Sequence, residues 1–199
     1  MSGNSTTFEA RASEAALARS ELRETLAYVH FPYCLKKCPY CDFTSYPAER
    51  PSIPHARYAD AALAELEAKR PLLAGRRLVS IFFGGGTPSL WEPEELGRVV
   101  ASIRGAFEDV ADDLEVTAES NPTSLDEDRA RRMRTVGVNR ISVGVQSLDP
   151  ERLRFLGRLH DEDGGLRAIG DARAAGFERV SGDLIFGVAG GRDQSPEDA

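Results

Sequence analysis

Apolar positions along the chain fall into short continuous runs, separated by stretches where they recur at helical spacing. Residues 26–31 form one run, closed by Pro32, and residues 78–83 form another, closed by Gly84, Gly85 and Gly86. Runs of this length with little polar alternation predict strands buried on both faces. Between them Tyr58, Ala62 and Leu66 lie on one helical face until Pro71 stops the pattern. Pro93 suits a first helical turn, and Leu96, Val99, Val100, Ile103 and Phe107 continue as an amphipathic stripe. Leu114, Val116 and Ala118 predict a third strand, and Ser124 with Glu127 reads as a capping box for a helix closing near Gly137. Ile141, Val143 and Val145 give a fourth strand. Asp149 and Pro150 open a short helix, Leu166, Ile169 and the Ala-rich run to Gly176 make a longer one, and residues 180–186 are a fifth strand.

Strands that alternate with helices argue for parallel βα units rather than hairpins. Right-handed crossovers then leave two architectures, an open doubly wound sheet or a curved barrel. In either, ligand sites gather at the C-terminal ends of the strands.

Composition narrows the function. With 199 residues and 41% hydrophobic content the chain can bury a core of its own. A net charge of -7, with no long Lys and Arg run, argues against nucleic acid as a partner. No segment approaches the roughly 20 apolar residues of a membrane span, and no secretory signal is recognisable. Residues 1–25 carry Ala, Ser and Arg as a transit peptide does, but Glu9, Glu14, Glu21 and Glu24 break its acid-poor rule; a flexible, loosely helical extension is expected there. The only three cysteines leave one unpaired in any disulfide scheme, so a reducing, cytoplasmic setting is expected.

Those cysteines carry the chemistry. Cys34-x3-Cys38-x2-Cys41 follows the first strand directly and puts three thiolates on one loop. Three thiolates suit three irons of a four-iron cluster and leave the fourth iron open to a small molecule. A zinc site with His30 as fourth ligand, in a structural or interaction module, is the competing reading. Further along, Gly84, Gly85, Gly86 and Thr87 end the second strand, where bare backbone can approach a ligand closely. Glu119 ends the third strand, Gln146 the fourth, and Asp183 lies on the fifth. Polar side chains repeated at one edge of successive buried strands are costly as core residues.

The segment from Tyr28 through Cys34, Cys38 and Cys41 to Phe43, together with Phe82-Phe83-Gly84-Gly85-Gly86-Thr87-Pro88, resembles the radical S-adenosylmethionine (SAM) family. It is most similar to the branch of oxygen-independent coproporphyrinogen III oxidases and HemW-type heme chaperones, and the likeness runs from Tyr28 to about Val188. The resemblance implies a partial radical SAM (β/α)6 barrel, an incomplete TIM-like barrel with about five βα units, spanning residues 26–199. It implies a [4Fe–4S] cluster on Cys34, Cys38 and Cys41. It also implies a SAM pocket lined by Tyr28, Gly85, Gly86, Thr87, Glu119, Gln146, Arg158 and Asp183. Arg158 can pair with the SAM carboxylate, and Glu119 and Asp183 can accept from an ammonium or ribose hydroxyls.

The oxidases of this branch carry a further Cys two residues after the third ligand, where this chain has Phe43. The first expectation is therefore a heme chaperone that delivers heme to apo-proteins, with an electron donor for its cluster. The alternative is an oxidase that cleaves SAM to a 5′-deoxyadenosyl radical and abstracts hydrogen from a porphyrinogen propionate. Ser181-Gly182 and the sequence after Gly187 depart from the family pattern, which makes Asp183 the weakest carry-over. Family members continue with a sixth unit and a C-terminal region that helps contact heme or porphyrin, so a truncated core is expected.

Overall fold

The structure, a computed structural model, describes residues 23–187. Residues 1–22, most of the expected extension, and 188–199, where the family resemblance fades, lie outside the described residues. Strand β1 spans Arg23–Phe31, so Arg23, Glu24 and Thr25 belong to the sheet and not to an extension. Two short strands follow, β2 (Tyr33–Cys34) and β3 (Tyr46–Pro47). Then come α1 (His55–Lys69), β4 (Arg76–Gly85), α2 (Pro93–Ala106) and β5 (Asp109–Ser120). The chain continues with α3 (Glu127–Thr135), β6 (Arg140–Gln146), α4 (Pro150–Phe155), α5 (Gly164–Ala174) and β7 (Arg179–Leu184).

Five strands form one parallel sheet in the order β1-β4-β5-β6-β7. The spatial order follows the chain order without reversal. A doubly wound sheet reverses at a switch point; monotonic order with right-handed crossovers is barrel winding. That resolves the two architectures in favour of a partial (β/α) barrel.

The expectation of strands buried on both faces is corrected. Ala27, Val29, Phe31, Ile81, Phe83, Val116, Ala118, Ile141, Val143 and Val145 alternate onto one face, and most of them are core residues packed under the helices. The registers Tyr28↔Phe82↔Thr117↔Arg140 and Glu119↔Ser142↔Ser181 mark the other face. It carries polar groups: Glu115 takes ion pairs from Arg140 and Arg179, and Ser142 bonds both Ser181 and Asp183. This is the concave side of a barrel wall. A run of apolar letters hid the period of two, because Tyr and Phe stand on the concave face of β1 and β4.

One helix start differs as well. Asp126, not Ser124, caps α3, accepting from Arg129 N at 2.8 Å, while Ser124 lies in a 3-10 turn (Pro122–Ser124). The glycine-rich strand end runs into a buried aromatic cluster, in which Trp91 stacks on Phe31 with ring centroids 5.0 Å apart. Among the described residues no helix is long and apolar enough to cross a membrane.

Candidate functional site

The cysteine loop is a closed excursion between β1 and α1. Its base is the β2–β3 pair, tied by Tyr46 N donating to Pro32 O (2.7 Å) and Ala48 N to Cys34 O (2.8 Å). Inside it, Cys41 N donates to Cys38 O and Lys37 Nζ to Phe43 O, both at 3.1 Å. Pinned at its base and braced within, the loop brings Cys34, Cys38 and Cys41 to one cleft, all three as free thiols.

The glycine segment is stitched to the same loop. Gly86 N donates to Phe31 O at 2.6 Å and Thr87 N to Tyr33 O at 2.9 Å. A Cβ on Gly86 would lie 2.7 Å from Tyr33 O, and one on Gly85, which has φ +104°, would lie 2.5 Å from the His30 ring. Only glycine fits both positions. Behind the segment, Arg129 of α3 donates to the carbonyls of Ser89, Leu90 and Trp91 and so fixes the turn that follows Thr87.

His30 has a different role from the zinc ligand considered above. Its Nε2 lies 2.7 Å from Thr44 O, tying strand to loop, and its Nδ1 3.0 Å from the Tyr28 hydroxyl on the same strand, so both ring nitrogens are engaged. A zinc site on the cysteines would lack this fourth ligand.

The strand ends and the loop enclose an open cleft of about 270 Å³. Every residue expected to hold cluster or SAM, except Tyr28, lines it: Cys34, Cys38, Cys41, Gly85, Gly86, Thr87, Glu119, Gln146, Arg158 and Asp183. Tyr28 stands beside the cleft on β1, its ring against Phe82 and close to the Gly84 backbone next to Glu119. Asn121, Ser142 and Gly144 also line the cleft and were not singled out from the sequence. Ser142 could have been: it pairs with Glu119 in the β5–β6 register and sits two residues before Gly144 on the same face.

Local backbone and charge are adjusted at this edge. Gln146 is the one non-glycine among the described residues at positive φ, +69°, and it follows a register shift between β6 and β7. A left-handed non-glycine costs about 1 to 3 kcal/mol and clusters at functional sites. Burial raises the Glu119 carboxyl above its ordinary range; Asp183 adds to this, and the Gly85 N–H, donating at 3.2 Å, opposes it. Burial likewise pushes the Cys34 thiol up, against a hydrogen bond from Thr87. Arg158 spans the two halves of the site, with Nη2 on Gly144 O at 2.7 Å and Nη1 near Cys38 Sγ at 3.7 Å.

These residues fit a cluster and a SAM molecule. Three thiols on one braced loop match the donor set that a site-differentiated iron–sulfur cluster requires. Beside them, Gly85 and Gly86 leave a cradle that any Cβ would fill. Arg158 Nε and Ser120 Oγ are buried without a hydrogen-bond partner among the described residues, leaving a donor for an anionic group and a hydroxyl for a polar one.

The profile of the Radical SAM superfamily matches residues 28–199. The heme chaperone HemW of Escherichia coli (strain K12) is 39% identical over 172 residues, covering 86% of this chain and 44% of that protein. The mitochondrial radical S-adenosyl methionine domain-containing protein 1 of Danio rerio is 39% identical over 167 residues, covering 84% and 37%. Among solved structures, coproporphyrinogen III oxidase (HemN) from Escherichia coli superposes with a TM-score of 0.74 at 30% identity, over 92% of this chain and 42% of that one. The chain thus spans less than half the length of each of these three relatives.

Proposed function

Since the chain belongs to the radical SAM superfamily, a membership that implies a [4Fe–4S] cluster and SAM, we propose that it is the cofactor-binding core of a heme chaperone. In this reading Cys34, Cys38 and Cys41 hold three irons. Gly85, Gly86 and Thr87 present backbone to the methionyl group of SAM. Arg158 takes its carboxylate, and Glu119, Asp183 and Gln146 take its amino and ribose groups, with Tyr28 closing the β1 side. When bound, the cluster supplies an electron to SAM, and this chain's part is to orient SAM against the open iron. The core is residues 26–199, with β1 reaching back to Arg23. Heme is the cargo, and heme-requiring apo-proteins and an electron donor of a reducing, cytoplasmic setting are the partners.

The observation that favours chaperone over oxidase is Phe43. It is 59% exposed on the rim of the cleft, at the position where the oxidases carry a further cysteine. Its benzyl group supplies neither a thiolate nor a proton. The likeness to proteins named heme chaperone HemW supports the same reading.

The test uses the reconstituted longer protein under anaerobic reduction. It is expected to bind heme and to convert no coproporphyrinogen III with SAM; turnover to protoporphyrinogen would establish the oxidase instead. In the same preparation Cys38→Ala should lose the cluster, because two thiolates cannot hold three irons and the loop has no spare cysteine to substitute. Iron per chain reads the result, and a full cluster in that variant would remove Cys38 from the ligand set.

A further inference from the structure

Two residues of the expected SAM pocket also reach the cysteine sulfurs. Thr87 Oγ1 donates to Cys34 Sγ at 3.4 Å, and Arg158 Nη1 donates toward Cys38 Sγ at 3.7 Å. We propose that Thr87 and Arg158 set the reduction potential of the cluster by donating hydrogen bonds to two of its three cysteine ligands. The inference rests on the cluster assignment above and deepens it.

The geometry is specific to these sulfurs. The Thr87 backbone is fixed by its N–H on Tyr33 O, one residue before Cys34, so its hydroxyl has a short, defined reach. The Arg158 guanidinium is oriented from its far side by Nη2 on Gly144 O, and Nη1 is shared between Cys38 Sγ and the Tyr40 hydroxyl at 3.5 Å. Tyr40 therefore braces Arg158 toward the sulfur. Among the described residues no side-chain donor reaches Cys41, whereas the hydroxyls of Ser45 and Tyr40 join Thr87 and Arg158 beside Cys34 and Cys38, so the donors gather on these two sulfurs.

The physics gives a sign. Reduction adds an electron that spreads onto the ligand sulfurs, and a hydrogen bond or a positive charge at a sulfur stabilises the reduced state more than the oxidised one. Both contacts therefore raise the potential and make the cluster easier to reduce. Because the same two side chains face the cleft, a SAM carboxylate on Arg158 would draw that charge away from Cys38. SAM binding and cluster potential are thereby linked through one guanidinium, and linkage is reciprocal.

The experiment is an EPR-monitored redox titration of the anaerobically reconstituted chain without SAM, so that loss of SAM binding plays no part. Thr87→Val removes the hydroxyl at nearly constant shape, Thr87→Ser retains it, and Arg158→Met removes the charge while keeping a long stem. Thr87→Val and Arg158→Met are expected to shift the midpoint to more negative potential with iron per chain at the wild-type level, and Thr87→Ser to leave it at the wild-type value. If one variant sheds its cluster, the other reads the same effect at the other sulfur. Wild-type midpoints in both Thr87→Val and Arg158→Met would overturn the inference alone; a wild-type chain that takes up no iron would overturn the cluster reading beneath it.

Discussion

Glu119 lines the cleft with a carboxyl whose charge burial disfavours, and its surroundings make that cost measurable. Burial holds its carboxyl above the ordinary range in the folded chain, with Asp183 pushing the same way. In the unfolded chain the group titrates at its ordinary value near about 4.3. Between those two values the native state keeps a proton that the unfolded state has released. The group's contribution to stability is thus fully present below the ordinary carboxylate value and is lost as pH rises through the folded one. Glu119→Gln stays neutral throughout and can still accept from the Gly85 N–H. It is expected to melt higher than wild type near neutral pH, with the difference vanishing well below about pH 4. Loss of a charged acceptor should at the same time weaken SAM binding by roughly tenfold. Thermal melts across pH, paired with isothermal titration, check both halves. A melting advantage independent of pH would reject the linkage, and unchanged SAM affinity would remove Glu119 from the pocket.

At the scale of elements, Arg129 shows how α3 supports a site it does not touch. Its guanidinium serves the carbonyls of Ser89, Leu90 and Trp91, and its salt bridge to Glu92 offsets part of the cost of burying a cation. Arg129→Met keeps the stem and leaves three carbonyls without their donor, at about 1 kcal/mol each. A loss of about 2 to 4 kcal/mol is expected in urea unfolding, together with weaker SAM binding as the turn after Thr87 loosens. A drop in stability with unchanged SAM affinity would confine Arg129 to the fold. The sequence made α2 and the strand centres legible, because apolar spacing and Pro93 act locally. It also singled out the cysteine and glycine segments, which the structure brings to one cleft, since cysteine spacing and bare backbone leave a mark in the letters. What it hid depends on contacts far apart in the chain. Asp126 takes the cap from Ser124 because Ser124 bonds Ser89, 35 positions away. His30 looked like a spare ligand until Thr44 and Tyr28 were seen to occupy its ring. The polar concave face stayed hidden behind Tyr28 and Phe82, aromatic residues that stand on it.

For the whole molecule, the consequence of monotonic strand order is two open edges, β1 and β7, among the described residues. Leu26 is 63% exposed at one edge; Leu184 and Phe186 are 55% and 87% exposed at the other. Each 100 Å² of apolar surface left in water forgoes about 2.5 kcal/mol of burial, a large share of the roughly 5 to 15 kcal/mol that holds a domain folded. Unpaired backbone groups along an exposed apolar strand also offer a template for another copy. The 199-residue chain is therefore expected to associate as its concentration rises, through β7 and the residues just after it. Lysine at an edge opposes such pairing, so the double change Leu184→Lys with Phe186→Lys should move the population toward monomer. The cysteine loop and the glycine segment follow β1 and β4, and neither Leu184 nor Phe186 lines the cleft that holds the three cysteines, so iron per chain should not change. Light scattering behind size exclusion, run over a range of concentrations beside an iron assay, reads both quantities. A wild-type chain that stays monomeric across that range would show that these edges are protected in solution, and loss of iron in the lysine variant would show that β7 supports the cluster loop after all.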